Sequence, residues 1–168
     1  IYPAGTMHPG DVYLINDSYL GGTHTQDFNV FTPIFADGRL VLFAGAIAHQ
    51  IDIGGMTAGG YCPQASSIYQ EGMRFPGVKL IDRGELRDDL MRTLLRNVRL
   101  PYQQKGDLLA QLAALKVAAD RVPVLVGDYG ADTFDAIVRA ILDITEARVR
   151  AEIERLPDGV YRAVDFID

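Results

Sequence analysis

Phe28-Asn29-Val30-Phe31-Thr32-Pro33-Ile34-Phe35-Ala36-Asp37-Gly38-Arg39-Leu40-Val41-Leu42-Phe43-Ala44-Gly45-Ala46-Ile47-Ala48 reads as a β-hairpin. Phe28 to Phe35 and Arg39 to Ala48 are its two apolar strands. Asp37-Gly38 is the turn, because a type I′ turn wants positive φ at both central positions and these residues tolerate it. Pro33 has no N–H to give to a ladder, so it predicts an edge or a bulge in the first strand. An antiparallel hairpin returns the chain to where it began. Asp27, just before the first strand, and His49, just after the second, are therefore expected to meet at the open end, opposite the turn.

Outward from the hairpin, each flank carries the same pattern. His24 is followed three residues on by Asp27, and His49 by Asp52. Each H-x-x-D lies beside a glycine pair, Gly21-Gly22 or Gly54-Gly55. Histidine and aspartate bind divalent metals, and two histidines with one carboxylate form a common catalytic set that leaves positions open. A single H-x-x-D is frequent by chance and is more often a hydrogen-bonded structural pair. Two copies bracketing one hairpin weigh against chance. Paired glycines let backbone approach a ligand closely, or simply make a tight loop.

The chain has 168 residues, 48% of them hydrophobic, and a net charge of −6. That suits one domain with a sizeable core. No basic cluster suggests a nucleic-acid surface. The single cysteine, Cys62, excludes an internal disulfide. No apolar run suits a membrane span and no signal peptide is visible, so a soluble cytoplasmic protein is expected. The chain opens without a methionine and stops within an apparent strand, which predicts a piece of a longer polypeptide.

Residues 1–11 read as loop, with His8 as an exposed loop histidine. Val12 to Ile15 is a short strand. Residues 54–68 are rich in glycine, serine and proline, which suits a lid or substrate loop as well as a plain surface loop. Cys62 there is a poor candidate nucleophile, since no histidine has a clear claim to activate it. The second half is helical. Glu85 to Asn97 would bury Leu86, Leu90, Leu94 and Leu95. Gln103 to Val122 would bury Leu108, Leu112, Leu115 and Ala119, with Pro123 breaking or kinking it. A third helix would run from Asp132, as N-cap, to Arg155, with Ile137, Ile141, Ile144, Val149 and Ile153 as a core or subunit-interface stripe. A turn at Pro157-Asp158-Gly159 leads into a last strand, Val160 to Phe166. The fold class is thus α+β: an antiparallel β-rich region over about 1–80, helices over about 85–156, and a returning strand over about 159–168. No P-loop or G-x-G-x-x-G is present.

Gly10-Asp11-Val12, Asn16-Asp17-Ser18-Tyr19-Leu20-Gly21-Gly22-Thr23-His24, Asp27 and Ala48-His49-Gln50-Ile51-Asp52-Ile53-Gly54-Gly55 carry a resemblance. So do Ile68-Tyr69-Gln70-Glu71-Gly72, Asn97-Val98-Arg99, Gly106-Asp107-Leu108, Gln111 and Leu156-Pro157-Asp158-Gly159. In this order they resemble the hydantoinase B/oxoprolinase family. That family includes the B-type component of ATP-dependent N-methylhydantoinases, the C-terminal part of 5-oxoprolinase, and the large subunits of acetone and acetophenone carboxylases. The chain resembles an N-terminal core segment of it. It departs from the family at Ser18, where proline is common, and at Gln50, where an aromatic residue or histidine is often found.

The resemblance implies a metal held by His24, Asp27 and His49, with Asp52 orienting a histidine or serving as a fourth ligand. Zn, Mn or Fe suits these ligands. It further implies an ATP-using A-type subunit or domain as partner, a hetero-oligomeric assembly, and a small cyclic amide as substrate. The B-type part would complete ring opening, with Asp17 or Asp52 as general base if either reaches the water. Two alternatives stand beside this: a carboxylase of the acetone or acetophenone type on the same metal site, and a docking module using the helices of residues 103–155 without chemistry of its own.

Overall fold

The computed structural model of the chain describes residues 2–166. Two compact units are present, Ile1–Gly127 and Asp128–Asp168. The first holds β1 (Val12–Ile15), β2 (Asp27–Ala36), β3 (Arg39–His49), β4 (Pro76–Asp82), β5 (Glu85–Leu86), α1 (Asp88–Arg96) and nearly all of α2 (Pro101–Tyr129). The second holds α3 (Ala131–Glu154).

The five strands form one antiparallel sheet in the order β3-β2-β1-β4-β5. The expected hairpin supplies β2 and β3. Asp37 and Gly38 both have positive φ, 49° and 76°, as the turn requires. The ladder runs from Ala36 opposite Arg39 to Asp27 opposite His49. Pro33 does not make β2 an edge. The register shifts between Ile34 and Phe35, just past the proline, so the bulge is the outcome observed. β4 is a strand that local pattern does not announce, because Pro76 and Gly77 open it and both are poor strand residues.

Alternation on β2 puts Phe28 and Val30 on the face that the helices cover. They join Leu14 of β1, Leu80 of β4, Met91 and Leu94 of α1, and Leu108 and Leu115 of α2 in one core. Fully burying a side chain of this size stabilises by roughly 1.5–3 kcal/mol, so this seam rather than helix propensity holds α1 and α2 in place.

Several helix boundaries differ from expectation. Residues 85–86 pair as β5 instead of opening a helix, which leaves Leu86 exposed and starts α1 at Asp88. Pro123 lies inside α2 and does not end it. Leu115 and Val126 are buried on either side of the proline, and that packing offsets the lost backbone bond. The buried stripe of α2 includes Gln104 and Gln111 as well as Leu108 and Leu115. α3 begins at Ala131 with Gly130 as its N-cap, and Asp132 falls in the first turn. No residue of α3 is buried, so its isoleucine stripe is not core within this chain. Residues 160–166 form no strand, a correction to the expected return. A strand exists only through paired backbone groups, and the second unit holds a helix but no sheet edge among the described residues. Residues 167 and 168 of that expected strand lie outside the described residues.

Candidate active site

The hairpin's open end delivers what its pairing predicts. Asp27 and His49 face each other across the ladder, with Asp27 Oδ1 2.9 Å from His49 Nδ1. The first H-x-x-D adds His24, whose Nδ1 lies 3.1 Å from Asp27 Oδ2. One carboxylate therefore joins both imidazoles, one oxygen each. Burial alone would raise the Asp27 carboxyl, but the bonds to His24 and His49 outweigh it and hold its pKa below the ordinary carboxylate range. A carboxylate accepts from whichever Nδ1 carries a proton, and a ring protonated at Nδ1 alone keeps a lone pair on Nε2.

Two imidazoles and a carboxylate suit a divalent ion chemically. Separations near 3 Å are ordinary hydrogen-bond lengths. The arrangement is a hydrogen-bonded trio rather than a finished cage: among the described residues no three histidine, cysteine or acidic side chains already surround one point. His24 and His49 are 67% and 61% exposed, so turning their rings onto an ion displaces no packing.

His24 also lines a cavity of about 500 Å³. Hydroxyl and amide groups dominate its wall, from Ser18, Thr23, Thr25, Gln26, Ser66 and Ser67, with Cys62 and Glu71 beside them. Two loops build this wall, the one between β1 and β2 and the one between β3 and β4, and specific bonds join them. Asn16 is fully buried; its Nδ2 donates to the carbonyls of Thr25 and Met73 at 2.5 and 2.9 Å, and its Oδ1 accepts from Phe75 N–H at 2.6 Å. Gln26 Nε2 donates to the Gly60 carbonyl. Thr25 Oγ1 donates to Glu71 Oε2 at 2.9 Å.

The expected general bases sit elsewhere in this framework. Asp52 is 1% exposed. Its oxygens accept from Arg99 N–H at 2.6 Å, Arg99 Nη1 at 3.0 Å and Gly54 N–H at 3.1 Å. Arg99 also reaches the carbonyls of Gly54 and Gly55. Asp52 thus clamps its loop to the turn between α1 and α2. Asp17 is 8% exposed, accepts from Tyr19 N–H at 3.0 Å and pairs with Arg74 at 3.6 Å. His8 is part of a separate cluster with Arg83 and Asp11.

The second glycine pair serves packing. A Cβ on Gly55 would stand 2.6 Å from the Gln70 carbonyl, and one on Gly54 would stand 2.7 Å from that of Asn97. Behind the hairpin, Gln50, Gln104 and Gln111 form a buried amide chain. Gln104 Nε2 donates to Gln50 Oε1, Gln50 Nε2 to Gln111 Oε1 at 3.1 Å, and Gln111 Nε2 to the Phe28 and Ala46 carbonyls at 2.8 and 3.1 Å. α2 is thereby tied to the strands that carry Asp27 and His49. No local signal marks Asn16, Thr25, Glu71, Arg99 or Gln104 for these roles, since each acts through a partner distant in sequence.

The hydantoinase B/oxoprolinase family profile matches residues 2–168. The chain belongs to the hydantoinase B/oxoprolinase family. It is 36% identical over 159 residues to the beta subunit of the caprolactamase of Pseudomonas jessenii, covering 95% of this chain and 27% of that protein. It is 34% identical to the B-type component of a putative D-/L-hydantoinase of Pseudomonas sp. (strain NS671), covering 97% of this chain and 28% of the relative. In structure it is similar to the ATP-dependent caprolactamase of Pseudomonas jessenii, with a TM-score of 0.86 and 37% identity over 91% of this chain and 26% of that one. The chain thus spans about a quarter of the length of these family members. The α+β fold is the family's, and this hydantoinase B/oxoprolinase segment contains the hairpin, both H-x-x-D pairs and the loops that frame them. Among its described residues no helix is long and apolar enough to cross a membrane.

Proposed function

We propose that this chain forms the metal-holding, ring-opening part of an ATP-dependent cyclic amide hydrolase, with His24, Asp27 and His49 as ligands of one divalent ion, Zn, Mn or Fe. The meeting of Asp27 with both imidazoles, at the rim of a polar cavity, is the observation that carries this reading. Bound there, a divalent ion would supply Lewis acidity to a carbonyl oxygen or lower the pKa of a water. The chain's own groups do the rest. The hydroxyl and amide side chains of the cavity wall orient a small ring with donors and acceptors of its own. The Gln104–Gln50–Gln111 chain and the Asp52–Arg99 clamp hold the ligand-bearing strands and loop in position. Since the sequence carries no nucleotide-binding signature, ATP would be used by an A-type partner. The names of the caprolactamase and hydantoinase relatives, each one subunit of an enzyme, support such an assembly.

The test is elemental analysis of the full-length protein beside a His24→Ala, His49→Ala double variant. Both are then assayed with ATP and the partner on caprolactam, hydantoin and 5-oxoproline. Near one metal per chain, lost together with turnover in the variant, is the expected result. Metal content and turnover that both survive the double substitution would refute the assignment. ATP-dependent fixation of bicarbonate onto a ketone, without amide hydrolysis, would move the reading to the carboxylase branch.

A further inference from the structure

Glu71 is the one carboxylate among the described residues that line the cavity beside His24. It caps the C-terminal end of the 3-10 turn Ile68–Gln70, where its N–H donates to the Ile68 carbonyl at 3.1 Å. Its Oε2 accepts from Thr25 Oγ1 at 2.9 Å, and Thr25 is 2% exposed. Thr25 directly follows His24, so this bond ties the acid to the first H-x-x-D across 46 positions of sequence. Among the described residues Oε1 has no hydrogen-bond partner. That contrasts with Asp52, spent on Arg99 and Gly54, and with Asp17, held by Tyr19 and Arg74.

Close backbone packing fixes the turn that carries this side chain. Gly55 packs so closely on Gln70 and Glu71 that a Cβ would stand 2.6–2.9 Å from their backbone atoms. Met56 N–H donates to the Gln70 carbonyl at 2.8 Å, and Met73 N–H to the Ile53 carbonyl at 2.9 Å. Gly72 leaves no room for a Cβ against Ile53, 2.6 Å away. Gly55, the second of the glycine pair after Asp52, therefore packs against the Glu71 turn instead of approaching a ligand itself.

We infer that Glu71 is the catalytic acid–base group of the cavity, acting on the water and the ring nitrogen of a cyclic amide. This rests on the hydrolase reading given above. The Glu71 carboxylate takes a proton from water as the water oxygen bonds to the amide carbonyl carbon. It returns that proton to the ring nitrogen as the C–N bond breaks, leaving a carboxylic acid and an amine on one opened molecule. Thr25 holds one oxygen still, so the other is presented in a fixed direction.

The experiment uses the full-length protein with its ATP-using partner and the three amides above. Glu71→Gln keeps the shape and the Thr25 contact. It should retain the parent's metal content and a KM within about threefold, while kcat falls by about 10²- to 10⁴-fold, the usual worth of general acid–base catalysis. Glu71→Ala should recover part of its lost kcat on adding acetate or formate, a rescue that a merely structural role would not show. Glu71→Gln with parental kcat, or Glu71→Ala without any carboxylate rescue, would overturn the assignment while the metal reading stands. A parent enzyme that opens none of the three rings would overturn the hydrolase reading, and this inference with it.

Discussion

Asp11 is the place to test how far buried hydrogen bonding holds the sheet together. It has no exposed surface, yet it carries a charge. Oδ1 accepts from Arg83 N–H at 2.9 Å. Oδ2 accepts from His8 N–H at 2.9 Å and Tyr13 OH at 3.0 Å, and Lys79 Nζ stands 3.1 Å away. Burial by itself would raise the carboxyl, but these four donors outweigh it and hold the pKa at about 2, below the ordinary 3.8. Tyr13 moves the other way, pushed up to about 12 by burial and by the Asp11 charge. At roughly 1.4 kcal/mol per pH unit, the Asp11 difference contributes about 2 kcal/mol to stability at neutral pH. A depressed carboxylate stabilises fully above its unfolded pKa and loses that contribution as pH falls through 3.8 toward 2. About 1 kcal/mol of it should be gone by about pH 3.

Asp11→Asn removes the charge and turns an NH₂ group against donors. It should cost about 3–5 kcal/mol at neutral pH, the usual result of breaking a buried pair. Urea unfolding of the parent and the variant at about pH 7 and about pH 3 checks both numbers. Other carboxylates titrate alike in the two proteins, so the change in their gap isolates Asp11. The gap should narrow by about 1 kcal/mol on acidification. A variant as stable as the parent, or a gap that stays constant across that pH range, would refute the reasoning.

Two further outcomes follow from the packing. Leu108→Ala empties a fully buried site between α2 and the sheet, and should lower stability by about 2–5 kcal/mol in urea unfolding, a loss reduced only where α2 can settle inward. Gly55→Ala forces a Cβ against the Gln70 carbonyl at a φ of 84°, and should cost about 1–3 kcal/mol in thermal unfolding while lowering turnover through the displaced Glu71 turn.

The hairpin was legible in the sequence because its determinants are local. Asp37-Gly38 specifies a turn that needs positive φ twice, and alternation specifies which side of β2 is buried. From those two facts the pairing of Asp27 with His49 follows by counting, and the structure has it in register. The leucines of α1 and α2 were legible for the same reason, since a 3.6-residue period is written in neighbouring positions. The family resemblance named the motifs that matter, Asn97-Val98-Arg99 and Ile68-Tyr69-Gln70-Glu71-Gly72 among them, without saying what each does.

Only the tertiary structure decided the division of labour among the polar residues. Asp17, Asp52 and Glu71 are alike as carboxylates in a sequence. What separates them is who donates to them: Arg99 from 47 positions away closes Asp52, Arg74 and Tyr19 hold Asp17, and Thr25 holds a single oxygen of Glu71. The roles of Gln104 and Gln111 appear only when the strands beneath them supply Gln50 and two carbonyls. Pro123 reads as a break or a kink, and only the folded chain shows α2 continuing past it. Propensity, turn chemistry and periodicity act over a few residues and can be read along the chain. The fate of a buried charge or amide depends on the atoms folded against it, and those come from anywhere in the sequence.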